Sequence, residues 1–156
     1  METIFSPLLP RAHRWDTSFN HLHQVVPFDY LALVLHDGTT DEMKLLVLAP
    51  PNIPRPPFET LPVAAGGPAA LVWQSQQAAG LPIPATGTLG PAMEFIRELG
   101  QHITCWLPLT TVHARIGVLT FGSSRADDYE DGAVAYMQQV AAHVAVALDN
   151  AINFDR

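Results

Sequence analysis

The chain has 156 residues and a mass of 17.0 kDa, a length that suits one domain with one hydrophobic core, and its 48% hydrophobic residues supply that core without a metal or disulfide staple. Fifteen acidic residues against eight basic ones, with Lys44 the one lysine, leave a formal charge of −7, so no stretch can neutralise a run of phosphates and direct nucleic-acid contact is disfavoured. The apolar runs Tyr30 to Leu35 and Leu45 to Pro51 fall far short of the roughly 20 residues that span a bilayer; Met1 to Pro10 carries no export signal; and the lone Cys105 excludes an internal disulfide and suits a reducing cytoplasm.

Proline organises the chain: ten of the fourteen fall between Pro50 and Pro91, which separates two ordered segments from an irregular middle. Ala12, Trp15, Phe19, Leu22 and Val26 step by three and four and predict a helix that Pro27 ends. Phe28 to His36 reads as a strand, with Met43 to Ala49 as its hairpin partner across a polar turn. Gly66 to Ala79 has helical composition and is stopped by Gly80 and Pro82. Pro91 to Leu99 predicts a short helix with proline in its first turn and Gly100 just past its end. Ile103 to Thr111 and Arg115 to Ser123 read as strands; Pro108 gives no ladder donor and predicts an edge position or an outward-facing nitrogen.

From Glu130 onward the chain has one glycine and no proline, and it predicts a long helix. Asp127, Asp128, Glu130 and Asp131 cluster at its start, where negative charge favours the unpaired N–H groups. Met137, Ala141, Val144, Leu148 and Ala151 form a stripe stepping by four and three that suits a helix partner. Part of it is expected to pack on the chain's own N-terminal helix and the rest on a second subunit, as a two-fold homodimer; the alternative is that one chain uses it fully. With no stop signal before Arg156, the helix is expected to continue, which makes residues 1–156 the first module of a longer protein.

Catalysis has no residues to rest on. His21 and His23 are two apart and fall on different sides of a helix, so no metal site is expected. There is no Gly-x-Ser-x-Gly elbow and no glycine-rich phosphate loop. Cys105 lies mid-strand and reads as a buried small hydrophobe. No cofactor and no enzyme activity are expected.

Strand parity carries more, because residues two apart share a face. Leu31, Leu33, Leu35, Ile103, Cys105, Leu107, Leu109, Gly117, Leu119 and Phe121 make one wholly apolar face, which needs the terminal helices over it. Tyr30, Ala32, Val34, His36, Thr104, Trp106, Pro108, Thr110, Ile116, Val118, Thr120 and Gly122 make a mixed one. That second face is either simply wetter or covered by the irregular middle segment over a small-molecule cavity. The cavity so defined is bounded by Tyr30, His36, Thr104, Trp106 and Thr120 from the sheet and by Trp73 and Phe95 from the middle helices. Aromatic surface with about four hydrogen-bonding groups suits a small, neutral or weakly anionic, partly flat ligand; the alternative is that Trp73 and Trp106 meet and fill the space.

Taken in order, Phe95-x-x-x-Leu99-Gly100, Cys105-Trp106-Leu107-Pro108-Leu109, Arg115-Ile116-Gly117-Val118-Leu119, Asp127-Asp128-Tyr129-Glu130-Asp131 and Val140-Ala141-x-x-Val144-Ala145-x-Ala147-Leu148-x-Asn150-Ala151 resemble the C-terminal half of a GAF domain. Val26-Pro27-Phe28-Asp29 and the segment Gly66 to Pro82 sit where the family would put them. Through its closing Asn-Ala helix the chain looks most like the GAF modules preceding the ATPase domain of sigma-54-dependent activators, the formate-hydrogenlyase activator type. The Asn-Lys-Phe-x-Asp-Glu pattern of cyclic-nucleotide-binding members is absent, as are the Cys-His pair of bilin-binding members and the several cysteines of methionine-sulfoxide-reducing ones.

The resemblance implies an α+β fold with a central antiparallel sheet of five or six strands. N- and C-terminal helices cover one face, and short helices and loops cover a pocket on the other. It implies a cytoplasmic sensory domain that binds a small-molecule effector and signals to a C-terminal output domain, in transcription regulation, without touching nucleic acid or membrane. The competing expectation is a dimerisation module whose pocket is filled by its own side chains.

Overall fold

The computed structural model describes residues 28–49, 60–62, 67–125, 128–129 and 131–154. The helix expected over 8–26 lies outside the described residues. The elements are β1 (Tyr30–Asp37), β2 (Glu42–Ala49), β3 (Thr60–Pro62), α1 (Pro68–Ser75), β4 (Ala79–Pro82), α2 (Pro91–Glu98), β5 (Ile103–Thr110), β6 (Arg115–Ser123) and α3 (Asp131–Phe154). The strands form one six-stranded sheet in the order β3-β2-β1-β6-β5-β4, and every neighbouring pair is antiparallel. The fold is the expected α+β architecture.

Local chemistry places the turns. Asp37 caps the β1–β2 turn by accepting the Thr39 N–H at 2.9 Å, and its carboxylate also faces the Lys44 ammonium at 3.4 Å. That N–H first, and the lysine after it, hold the Asp37 carboxyl below its ordinary range. Asp41 closes the turn at φ 55, a left-handed conformation that aspartate tolerates better than most residues. Pro68 and Pro91 open α1 and α2 from the first turn, where the missing N–H costs nothing.

The helix expected to reach Ala79 stops instead at Ser75, and Ala79–Pro82 becomes β4. Gln76 at φ 58 takes the left-handed cap of α1, and the backbone then pairs with β5 from Ala79↔Trp106 to Pro82↔Ile103. At Pro108 β5 has therefore run past β4 and has no neighbour on that side among the described residues, which removes the difficulty of proline in a sheet.

Two apolar clusters lie on opposite faces of the sheet. One joins Leu31, Leu33, Leu35, Cys105, Leu107, Leu109, Leu119 and Phe121 to Met137, Ala141, Ala145, Leu148 and Ala151 of α3. The other joins Tyr30, Ala32, Val34, Trp106 and Val118 to Ala70 and Val72 of α1 and Met93, Phe95 and Ile96 of α2. Ile116 corrects the parity reading, because it packs in the first cluster. The register shifts from Leu109↔Gly117 to Thr110↔Arg115, and the extra residue of this bulge turns Ile116 to the other face.

α3 faces inward along its stripe: Met137, Ala141, Leu148 and Ala151 are buried and Val144 is half-buried against the sheet cluster of the same chain. Within this chain, then, the stripe packs on the apolar face of the sheet. Tyr136 and Val146 are the large apolar side chains that α3 exposes among the described residues.

Candidate ligand-binding face

The strand registers arrange the second face in rows. Tyr30, Gly122, Thr104 and Leu81 stand abreast across β1, β6, β5 and β4; Ala32, Thr120, Trp106 and Ala79 form the next row. Thr120 thus stands between Ala32 and Trp106, with Gly122 one pleat away on its own strand. The smallest side-chain positions of the face are Ala32 and Gly122; Tyr30 stands beside Gly122, and Trp106 stands beside Thr120.

The polar groups fare differently. Trp106 is 2% exposed; its Nε1–H donates to Thr104 Oγ1 at 2.7 Å, and that hydroxyl donates to the Leu81 carbonyl at 2.9 Å. Both side chains are spent on each other and on β4, the strand that the sequence reading missed. The Tyr30 hydroxyl is pushed up from its ordinary range by burial alone and stays neutral. Thr120 is 1% exposed, and its Oγ1 has no hydrogen-bond partner among the described residues.

His36 and Trp73 leave this group. Their rings stack with centroids 4.3 Å apart, and His36 Nε2 lies 2.7 Å from Asp41 Oδ1 in the β1–β2 turn. Four residues separate His36 from Ala32 along β1, about 13 Å of strand, so the stack closes the far end of the face. Phe95 is buried in the same cluster as Tyr30 and Trp106. The seven expected pocket residues therefore divide into Thr120 with Tyr30, Phe95, Thr104 and Trp106, and a His36–Trp73 pair at the hairpin end, whose Trp73 packs on the edge of the same cluster.

Gln101 escaped the sequence reading. It precedes β5, outside any periodic segment, and a lone glutamine after a glycine carries no signal of burial. Yet it is 5% exposed. A Cβ built on Gly122 would stand 3.1 Å from Tyr30 Cβ and 3.2 Å from Gln101 Oε1, so the glutamine amide lies on this face in the space that Gly122 leaves. Its Nε2 donates to the Leu99 carbonyl at 3.3 Å, and its Oε1 has no partner among the described residues.

Cys105 sits on the opposite face, fully buried, with its thiol pushed up to about 12 by burial; a thiol so far from ionising is no nucleophile at neutral pH. Among the described residues no group of three His, Cys, Asp or Glu side chains could hold a metal ion, and no helix is long and apolar enough to cross a membrane.

The sheet order, the two-faced packing and the small helices over the mixed face define the architecture, and comparison gives the family. The family model described as GAF domain matches residues 12–150; the chain belongs to the GAF domain family. Its fold is similar to that of the GAF domain of a two-component sensor histidine kinase from Bacillus halodurans (19% identity, TM-score 0.78, 95% of this chain and 98% of that one). It is also similar to a free methionine-R-sulfoxide reductase from Neisseria meningitidis in complex with its substrate (15% identity, TM-score 0.67, 93% and 81%). A third likeness is to the phycocyanobilin-bound GAF domain of a cyanobacterial phytochrome (13% identity, TM-score 0.61, 97% and 96%). No curated protein matches the sequence.

Proposed function

We propose that this GAF domain is a cytoplasmic sensory module that binds a small-molecule effector on the face opposite α3 and passes the signal through α3 to a C-terminal output domain. One observation carries the reading: Thr120 Oγ1 is buried without a partner among the described residues, between Ala32 and Trp106 on the mixed face of the sheet. A buried hydroxyl left unpaired costs about 1–3 kcal/mol, a cost that a ligand or a water held there removes. Similar folds occur in proteins described as bound to a substrate and to phycocyanobilin.

The relay has a physical route. β5 and β6 carry Thr104, Trp106 and Thr120, and the turn joining them is fastened to α3. Thr111 Oγ1 accepts the N–H groups of His113 and Ala114 at 3.1 and 3.2 Å and lies 3.2 Å from Asp149 Oδ2. A shift of either strand therefore pulls on the closing helix near its end. Transcription regulation by a sigma-54-type activator is the output we propose, on the closing-helix resemblance. A Gly-x-x-x-x-Gly-Lys-Ser/Thr loop encoded downstream supports it, whereas a His-bearing helical pair indicates a kinase and contradicts it.

A second reading, a dimerisation module with a filled pocket, is favoured by the burial of Trp106. A thermal-shift screen of neutral metabolites separates the two. A midpoint raised in proportion to the logarithm of concentration, as linkage requires, supports the sensor; no shift from any compound, with a two-subunit mass by light scattering, supports the filled module.

A further inference from the structure

We propose that Gln101 and Thr120 form the polar pole of the ligand site and select an uncharged, flat molecule that carries an N–H donor beside an acceptor, as at the edge of a lactam. The proposal deepens the sensor reading and rests on it.

Gln101 Nε2 is tied to the Leu99 carbonyl, which fixes the amide so that Oε1 is its free end. That oxygen is buried and only accepts, so its complement must donate. Thr120 Oγ1 is buried and free, and a hydroxyl can donate to an acceptor. Positions 120 and 122 are successive side-chain sites on one face of β6, about 7 Å apart. The Gln101 amide lies over the second of them, 3.2 Å from where a Gly122 Cβ would stand. Two unmet groups of complementary type therefore address one patch.

The surroundings specify the rest of the ligand. Trp106 N–H and Thr104 O–H are already satisfied and present apolar surface, so flatness is rewarded while further polarity is not. Charge is excluded: the buried carboxylates among the described residues, Asp37 and Asp149, belong to the β1–β2 turn and to α3. Arg97 is held on the Pro84 and Gly87 carbonyls at 3.2 and 3.0 Å. An ion on this face would be buried without a counter-charge.

The test titrates three probes into the 15N-labelled chain by NMR: 2-pyridone, N-methyl-2-pyridone, which lacks the donor, and benzoate, which is charged. The proposal expects 2-pyridone to saturate with shifts at the Gln101 side-chain amide and Thr120, the N-methyl analogue to bind about tenfold more weakly, and benzoate not to bind. Gln101→Leu and Thr120→Val, folded by their spectra, should each weaken 2-pyridone about tenfold. Equal binding of the two pyridones, or undiminished binding to both variants, overturns the polar pole while leaving a ligand-binding face intact. If either variant fails to fold, the two pyridones on the wild-type chain decide alone. Failure of every probe overturns this proposal, while the sensor reading stands or falls separately by the thermal-shift screen.

Discussion

Gly117→Ala tests the sheet at its centre. Leu35 and Gly117 are opposed across β1 and β6, and a Cβ on Gly117 would fall on the Val34 carbonyl oxygen, with Val34 C and Leu35 Cα both at 3.0 Å. All three are backbone atoms of the neighbouring strand, so no side chain can swing away, and β1 and β6 must part. Parting them forfeits two or so ladder hydrogen bonds at about 1 kcal/mol each and loosens packing on both faces at about 1–3 kcal/mol, about 3–5 kcal/mol together. For a chain of this size that lowers the melting midpoint by roughly 10 °C. Gly38→Ala is the control, since a Cβ there meets nothing within 4 Å, and it should stay within about 0.5 kcal/mol of wild type. Thermal denaturation followed by circular dichroism reads both. A Gly117→Ala midpoint equal to that of Gly38→Ala would refute the β1–β6 register.

Leu148→Ala should cost about 2–5 kcal/mol in urea denaturation, as a core truncation does, and should leave the solution mass unchanged by light scattering, because Leu148 is buried in its own chain. Trp106→Phe removes the donor to Thr104 and some packing, and should cost roughly 1–3 kcal/mol by the same assay. Alkaline stability should fall as well. The Cys105 thiol ionises near its ordinary 9.0 when unfolded but is pushed up to about 12 by burial when folded, so its contribution is whole below pH 9 and is lost as pH rises toward 12. The slope is at most about 1.4 kcal/mol per pH unit for one proton, with Tyr30 and Tyr129, also pushed up by burial, adding above their ordinary range. Cys105→Val should flatten the loss that begins near pH 9, measured as denaturation midpoints against pH.

The two faces of the sheet were legible because side-chain period two is a strict property of strands: Leu33, Leu107 and Leu119 fall under α3, and Trp106 falls opposite. Parity failed only at Ile116, where a bulge breaks the period. β4 was illegible because Ala79-Gly80-Leu81-Pro82 has neither β-branched residues nor alternation, and pairing with β5 alone makes it a strand. The α3 stripe was legible as a packing face but not for what it packs on, since spacing defines a face and not its partner. Within the site, Tyr30, Thr104, Trp106 and Thr120 could be grouped by parity. Their states could not: that Thr104 is spent, Thr120 unmet and His36 drawn off to Asp41 depends on contacts between distant segments. Gln101 depends on the space above Gly122, which no local pattern reports.

The central claim, an effector held over β5 and β6 and sensed by α3, is tested most directly by mapping backbone amide shifts as the best compound of the thermal screen is titrated into the chain. The account predicts the largest shifts at Thr104, Trp106 and Thr120, with a second group at Thr111 and Asp149. Shifts confined to the exposed side of α3 around Tyr136 and Val146, or an unchanged β5–β6 region at saturation, would contradict it.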